Sequence, residues 1–265
     1  MATSMKICAA VNQKGGAAKT TEVFHLAHRA VEEGLRVLLV DLDRQRSLSH
    51  SFLPTDGAEP GLMASALFAP AALPLKPEVL SERLHIVRAD PDALSLLMDV
   101  SVDMMKQPAK HLRSMSADYD LCIIDTPGAI GFNPPITAAA LIAADGVFCP
   151  FPLGLYEALA VQDLWEFIQR VRTQGFNPRL KLLGLVPSRV NTKSAEELAG
   201  LEELRKAFGA AIFPLMLPER AAVKQAVMRR TPVWRKTRGQ GSLLAAREWR
   251  NVMDALLVKI GVKKQ

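Results

Sequence analysis

Cysteine is scarce in this chain of 265 residues. There are three, Cys8, Cys122 and Cys149, and each sits inside an apolar, strand-like run with no metal-ligand spacing. An odd number so placed excludes a disulfide framework and points to buried free thiols in a reducing compartment. No apolar run reaches the ~18 residues that a membrane span requires. The opening residues, MATSMKICAAV, lack the architecture of a secretory signal. A cytoplasmic location is therefore expected. Internal repeats and low-complexity tracts are also missing, and nothing marks a second domain, so residues 1–265 are expected to form one. Acids are lacking in one place. Between Glu219 and Arg250 nine basic residues face two acidic ones, whereas the whole chain carries a net charge of only +6. The positive charge is local, as on a face that meets a polyanion.

What is present is an ordinary globular composition, 49% hydrophobic and 23% charged. Short apolar runs alternate with helical patterns. Strands are expected at 6–12, 36–43, 84–89, 120–128, 145–151 and 180–190, with a last, edge-like strand at 210–218. Helical spacing marks 20–34, a segment beginning at Pro91, the stretch YEALAVQDLWEFIQRVRTQG, and 242–261. Residues 54–77 hold five prolines and read as a long surface loop with a short helix near 61–68. The alternation predicts an α/β fold, a mostly parallel twisted sheet with helices on both faces.

Glycine is missing where a strict phosphate loop would want it. G-x-x-x-x-G-K-[ST] asks for glycine at 13 and 18, and the stretch AVNQKGGAAKT supplies Gln13 and Ala18. The physical recipe survives nonetheless: a strand, a Gly-containing loop, then Lys-Thr opening a helix whose N–H groups face an anion. Lys19 is placed for the β- and γ-phosphates and Thr20 for Mg²⁺. Gly15 and Gly16 permit close backbone approach. Three acids converge on the same side: Asp41 and Asp43 end one strand and Asp125 another, as suits a metal–phosphate site at the carboxyl edge of an α/β sheet.

QKGGAAKTT, LLVDLDRQ and YDLCIIDTPG together resemble the deviant Walker A, switch I and Walker B/switch II motifs of the ParA/MinD family of ATPases. The match to K-G-G-x-x-K-[ST] lies at Lys14, Gly15, Gly16, Lys19 and Thr20. The resemblance covers nearly the whole chain and implies a fold of the P-loop NTPase (Rossmann-like) type, in a single ParA-like ATPase domain that uses ATP and Mg²⁺. It implies that Lys14 is the signature lysine, crossing an ATP-sandwich homodimer to the partner's nucleotide. Lys14, Lys19 and Asp43 would carry the chemistry, Asp43 by orienting the attacking water. Thr20, Asp41 and Asp125 would support Mg²⁺. Gly15, Gly16, Ala17, Ala18, Thr21, Pro218 and Glu219 would complete the nucleotide site with the two lysines and Thr20. Two departures stand out. Ala18 replaces a commoner glycine and either fits a near-helical dihedral or slows the cycle. Arg44 and Arg46 stand where proline and glycine are more usual.

The family divides by what the ATP-bound dimer binds. RRTPVWRKTRGQ at 229–240 favours nonspecific DNA over membrane, through counterion release. The expected DNA-facing set is Arg229, Arg230, Arg235, Lys236, Arg238, Arg247 and Arg250, joined by Arg189 and Lys193, with Trp234 packed beneath. No helix-turn-helix is expected before the loop. The terminal DALLVKIGVKKQ raises the alternative of a membrane anchor, against which stands a final helix packed on the sheet. The expected function is a nucleoid-associated ATPase that partitions or positions a cargo with a ParB-like or cargo-adaptor protein that stimulates hydrolysis. The alternatives are a nucleotide-gated DNA-binding module with little hydrolysis and a MinD-like membrane-associated ATPase.

Overall fold

The computed structural model describes residues 4–16, 18–54, 60–70, 75–131, 135–154 and 157–264. Eight strands form the sheet: β1 (Lys6–Ala10), β2 (Val37–Asp41), β3 (Glu78–Ser81), β4 (Leu84–Val87), β5 (Leu121–Asp125), β6 (Gly146–Phe151), β7 (Lys181–Val190) and β8 (Leu217–Pro218), in the order β3-β4-β2-β5-β1-β6-β7-β8. All pairings are parallel except β3 with β4. The central strands are apolar at nearly every position, because a parallel sheet in which helices cover both faces leaves neither face to water.

Side chains alternate across the pleat, so each strand feeds two cores. Ile7, Ala9, Val40, Cys122 and Ile124 face one side. There they meet Leu112 of α4 (Val102–Ser114), α5 (Ile136–Ala143), Phe167 of α6 (Glu157–Thr173) and Leu204 of α7 (Ala195–Phe208). Cys8, Ala10, Leu39, Leu121 and Ile123 face the other. Their partners are α1 (Lys19–Glu32), α8 (Ala221–Met228) and α9 (Gln240–Ile260). The register sets Ala10 beside Asp125 and Asp41 beside Asp125. The loop after β1 and two acid-tipped strands thus share one edge of the sheet.

Three expectations change. The hairpin β3–β4 is new: its turn, Glu82-Arg83, carries none of the Gly or Asn that signals a tight hairpin. The strand expected over 210–218 shrinks to Leu217–Pro218 and one bridge between Ile212 and Leu185. Pro214 and Pro218 have no N–H to donate to a ladder. The helix expected to begin at Pro91 is broken into α3 (Pro91–Ser95), a 3₁₀ turn and α4, which starts afresh with the Ser101 hydroxyl accepting from Met104 N–H at 3.3 Å. The proline-rich stretch does hold its short helix, a 3₁₀ turn over Ala64–Phe68, but Ala64, Leu67 and Phe68 are buried rather than superficial. The three cysteines are free and buried, and burial raises the pKa of each thiol.

Candidate functional site

The loop between β1 and α1 is held from both ends. Asn12 donates to the Pro150 carbonyl and accepts from Lys14 N–H at 2.8 Å. Gly128 lies so close beneath the loop that a Cβ there would meet Gly15 N at 2.9 Å, while a Cβ on Gly15 would meet nothing within 4 Å. Gly15 therefore opens on space and Gly128 is a packing glycine. Ala17 lies outside the described residues. Ala18 caps α1 with φ 71 and ψ 8, a left-handed conformation. The near-helical fit that would have excused alanine is thus not what occurs. A Cβ in that region costs about 1 kcal/mol relative to glycine.

Lys19 is buried, and among the described residues its Nζ hydrogen-bonds the Lys14 carbonyl alone, at 3.4 Å. Most of its donor capacity is left for an anion. Burial lowers its pKa, opposed first by Asp125 and then Asp43. The Thr20 hydroxyl donates to Asp125 Oδ2 at 2.6 Å, while Asp125 Oδ1 is buried without a hydrogen-bond partner. Burial, then the neighbouring Asp41, raises the Asp125 pKa well above the carboxylate range. A hydroxyl, a buried acid with an orphaned oxygen and an ammonium with spare donors, set at a helix N-terminus, suit magnesium and phosphate.

Asp41 is placed differently from the expectation. Its Oδ1 accepts Asp43 N–H at 3.1 Å, and its Oδ2 accepts the Ser49 N–H and hydroxyl at 2.8 and 2.7 Å. With no exposed surface, it braces Asp43 and the short helix α2 (Ser47–Ser51) from behind. Asp43 itself is partly exposed, beside the loop, and lines the same cleft of about 770 Å³ as Thr20, Thr21, Pro218 and Glu219. Arg46 caps α2 at φ 56, again left-handed. Two conformationally costly positions, Ala18 and Arg46, thus flank the site.

The basic residues separate into groups. Arg229, Lys236, Arg238 and Arg247 are exposed and make no ion pair with any described residue. Arg230 donates to the His50 carbonyl at 3.0 Å, Arg235 pairs with Glu32 at 3.0 Å, and Arg250 lies over the Trp234 ring. Lys193 is exposed in the turn before α7. Arg189 is engaged within the cleft. Its guanidinium turns into the cleft and bonds the Gly16 carbonyl at 3.0 Å and Glu219 at 3.2 Å. Trp234 is packed beneath the segment, as expected. Its indole N–H donates to Glu32, and Val233 N–H donates to His25 Nε2 at 3.1 Å. The apolar face of α9, including Trp249, Val252, Leu256 and Leu257, is buried against α1 and the β7–β8 end of the sheet. It is therefore unavailable as an anchor. Among the described residues no helix is long and apolar enough to cross a membrane.

Sequence reasoning missed several supporting residues. Arg88 joins Glu78 through two bonds, of 2.6 and 2.7 Å, and donates to the Ser49 and Phe52 carbonyls at the end of α2. Glu22 is fully buried against the Ser188 hydroxyl, and burial pushes it up to about 8. His25, also buried, is pushed down to about 3. Its Nδ1–H donates to the Thr21 carbonyl at 2.7 Å, so Nε2 is the acceptor that Val233 requires. An acid and a histidine at helical spacing carry no mark of such burial in the sequence.

Comparison with known proteins agrees with this geometry. Residues 5–182 match the family described as AAA domain. Protein IncC of Escherichia coli is 31% identical over 271 residues, covering 98% of this chain and 71% of that protein. The chromosome-partitioning ATPase Soj of Thermus thermophilus is 31% identical over 219 residues, covering 82% of this chain and 83% of Soj. Among solved structures, an ATP complex of Cyanothece McdA superposes with a TM-score of 0.83 at 20% identity, over 99% of each chain. A cobyrinic acid a,c-diamide synthase of Mycobacterium smegmatis, with an ATP analogue and magnesium bound, gives 0.73 at 27% identity, over 96% of this chain and 94% of that one. A phosphate-binding loop with a second lysine, two acid-tipped strands at one sheet edge and this similarity along almost its whole length agree: the chain belongs to the ParA-like family of partition ATPases.

Proposed function

We propose that this ATPase binds ATP and magnesium between the β1–α1 loop and the ends of β2 and β5, closes into a sandwich homodimer, and in that state binds DNA nonspecifically to partition or position a cargo. The observation that carries the reading is the group Lys19, Thr20 and Asp125: a buried ammonium with spare donors, and a hydroxyl bonded to an acid whose other oxygen is orphaned. Phosphoryl transfer needs positioning and charge neutralisation more than covalent help. When bound, magnesium would supply the charge that screens the phosphates. Thr20 would ligate it and Asp125 would hold it through water, with Asp41 acting from behind through Asp43 and Ser49.

Lys14, Gly15, Gly16, Ala17, Ala18, Lys19, Thr20 and Thr21 would cradle the phosphates, with Pro218 and Glu219 at the far end of the cleft. Lys19 would neutralise charge as it develops and Asp43 would orient water. Lys14, delivered across the dimer, would make hydrolysis depend on assembly. Lys193, Arg229, Arg230, Arg235, Lys236, Arg238, Arg247 and Arg250 form the proposed DNA-facing set, in one domain spanning 1–265. A ParB-like or cargo-adaptor protein would stimulate hydrolysis and release the dimer, placing the protein on the nucleoid in the cytoplasm. The left-handed Ala18 supports a second reading, in which hydrolysis is slow and the protein is chiefly a nucleotide-gated DNA-binding module.

Gel retardation of a random duplex with ATP, ADP or no nucleotide, at two salt concentrations, tests the switch. ATP-dependent, salt-sensitive retardation is the expected outcome. Equal binding in all three states would sink it. Steady-state hydrolysis with DNA present separates the two readings, since turnover at background under every condition favours the gated module.

A further inference from the structure

We propose that Arg189 is a positioning residue of the nucleotide cleft, a strut between its two ends that holds the phosphate loop ready for an anion, and not part of the DNA-facing surface. The proposal rests on the reading of the cleft as a nucleotide site. Arg189 stands one residue before the end of β7, at φ 56, a left-handed conformation that a side chain with a Cβ rarely adopts. From there one arm, Nη1, donates to the Gly16 carbonyl at 3.0 Å. The other arm, Nη2, donates to Glu219 Oε1 at 3.2 Å.

Both anchors are themselves tied. Glu219 N–H donates to the Val190 carbonyl at 2.9 Å, and Lys224 Nζ lies 3.0 Å from Glu219 Oε1. Lys224 first, then Arg189, lowers the pKa of this carboxyl. Gly16, at φ 76, is the loop residue whose Cβ would approach Arg189 Nη1, at 3.8 Å. The guanidinium therefore spans from the phosphate loop to the segment at the far end of the cleft.

A surface ion pair alone does not account for this arrangement. The Arg189 and Glu219 side chains are 47% and 39% exposed, and pairs so exposed contribute little. A backbone held in a costly conformation is informative when the side chain it aims does something specific. Here it aims a rigid, five-donor fork at a loop carbonyl. A trans peptide carries its N–H opposite its C=O, so a loop carbonyl drawn aside by a cation leaves the amide dipoles of the loop free to face a phosphate. Lysine carries the charge but, as a compact ammonium, lacks the rigid fork that spans the two anchors. Because the strut acts on the loop rather than on the terminal phosphate, ADP and ATP should depend on it alike.

The test is isothermal titration of the full-length protein with Mg-ADP and Mg-ATP, comparing wild type with Arg189→Ala, Arg189→Lys and Glu219→Gln, alongside DNA retardation across a salt series at saturating ATP. Losing a charge-assisted bond predicts that Arg189→Ala weakens both nucleotides by about tenfold. Arg189→Lys should fall between it and wild type. Glu219→Gln, which keeps the guanidinium but removes its far anchor, should weaken both nucleotides, whereas on a DNA-binding face removing an acid would strengthen DNA binding. The salt dependence of DNA retardation should be unchanged in Arg189→Ala. Wild-type nucleotide affinity in Arg189→Ala or Glu219→Gln, or a shallower salt dependence in Arg189→Ala, overturns the proposal. A wild-type protein that binds neither nucleotide overturns the nucleotide reading beneath it, a result distinguishable because it needs no variant. Should Arg189→Ala fail to fold, the lysine and glutamine variants decide, with circular dichroism reporting their fold.

Discussion

Two left-handed residues, Ala18 and Arg46, hold the turns on either side of the cleft. Ala18→Gly relieves about 1 kcal/mol of backbone cost, and the greater freedom of glycine in the unfolded chain offsets a similar amount. Stability should therefore hardly change. The loop, freed of the methyl group, should turn over faster, and steady-state phosphate release measures it. An unchanged kcat would clear Ala18 of slowing the cycle.

Two buried ionisable groups on α1 shape the response to pH. His25 is held down to about 3 against an unfolded value of 6.5. Its stabilising contribution is complete above pH 6.5 and is lost as pH falls toward 3. Glu22 is pushed up to about 8 from 4.5. Its contribution is complete below pH 4.5 and is lost as pH rises through 8. Between pH 6.5 and 8 the difference in melting temperature between wild type and Glu22→Gln should therefore shift in favour of the variant. A constant difference over that window would show that Glu22 is already ionised in the fold.

At the scale of the element, α2 depends on distant support. It has five residues, too few to persist alone. Asp41 and Ser49 hold its inner side, and Arg88 takes the Ser49 and Phe52 carbonyls at its C-terminal end, where a cation is favoured. Glu78, on the unanticipated strand β3, neutralises Arg88. Arg88→Met leaves Glu78 buried and unpaired. It should cost about 3 kcal/mol by chemical denaturation and lower kcat more than it raises KM, since α2, whose Ser49 holds the Asp41 that braces Asp43, loses its C-terminal support. The double variant Arg88→Met, Glu78→Leu should recover stability but not kcat. The helix α9 poses the opposite case. Leu256→Ala should cost about 2–5 kcal/mol because its side chain is wholly buried. Removing residues 254–265 should unfold the protein rather than release it from vesicles, and sedimentation with and without lipid measures this.

Over the whole molecule, charge and motif lie on connected parts. The segment carrying Val233 and Trp234 is fastened to α1 by His25 and Glu32, and α1 begins at the phosphate loop. The part of the proposed DNA-facing set next to Trp234, Arg235 among it, is thus fastened to the helix that opens at the phosphate loop. Charge reversal of Arg229, Lys236 and Arg238 should reduce the slope of log affinity against log salt by about 0.9 for each DNA phosphate that is no longer neutralised. Unaltered slope and affinity in that triple variant would place the DNA face elsewhere.

How much of this was legible beforehand follows from the range over which each force acts. Apolar runs with acid tips, Lys-Thr after a glycine pair and the one-signed stretch after Glu219 are local signals. They sufficed for the parallel sheet, for the placement of Lys19, Thr20 and Asp125 at its edge, and for the choice of family. The sequence alone thus determined which chemistry is present and at which strand ends. The tertiary structure alone decided how side chains are shared. It commits Asp41 to Ser49, turns Arg189 toward Gly16 through a dihedral no motif records, adds β3 to clamp α2, and by burial shifts the pKa of Glu22 up and that of His25 down. Each of these depends on partners from about four to more than two hundred positions away, and on a local dielectric that exists only after the chain has closed around them.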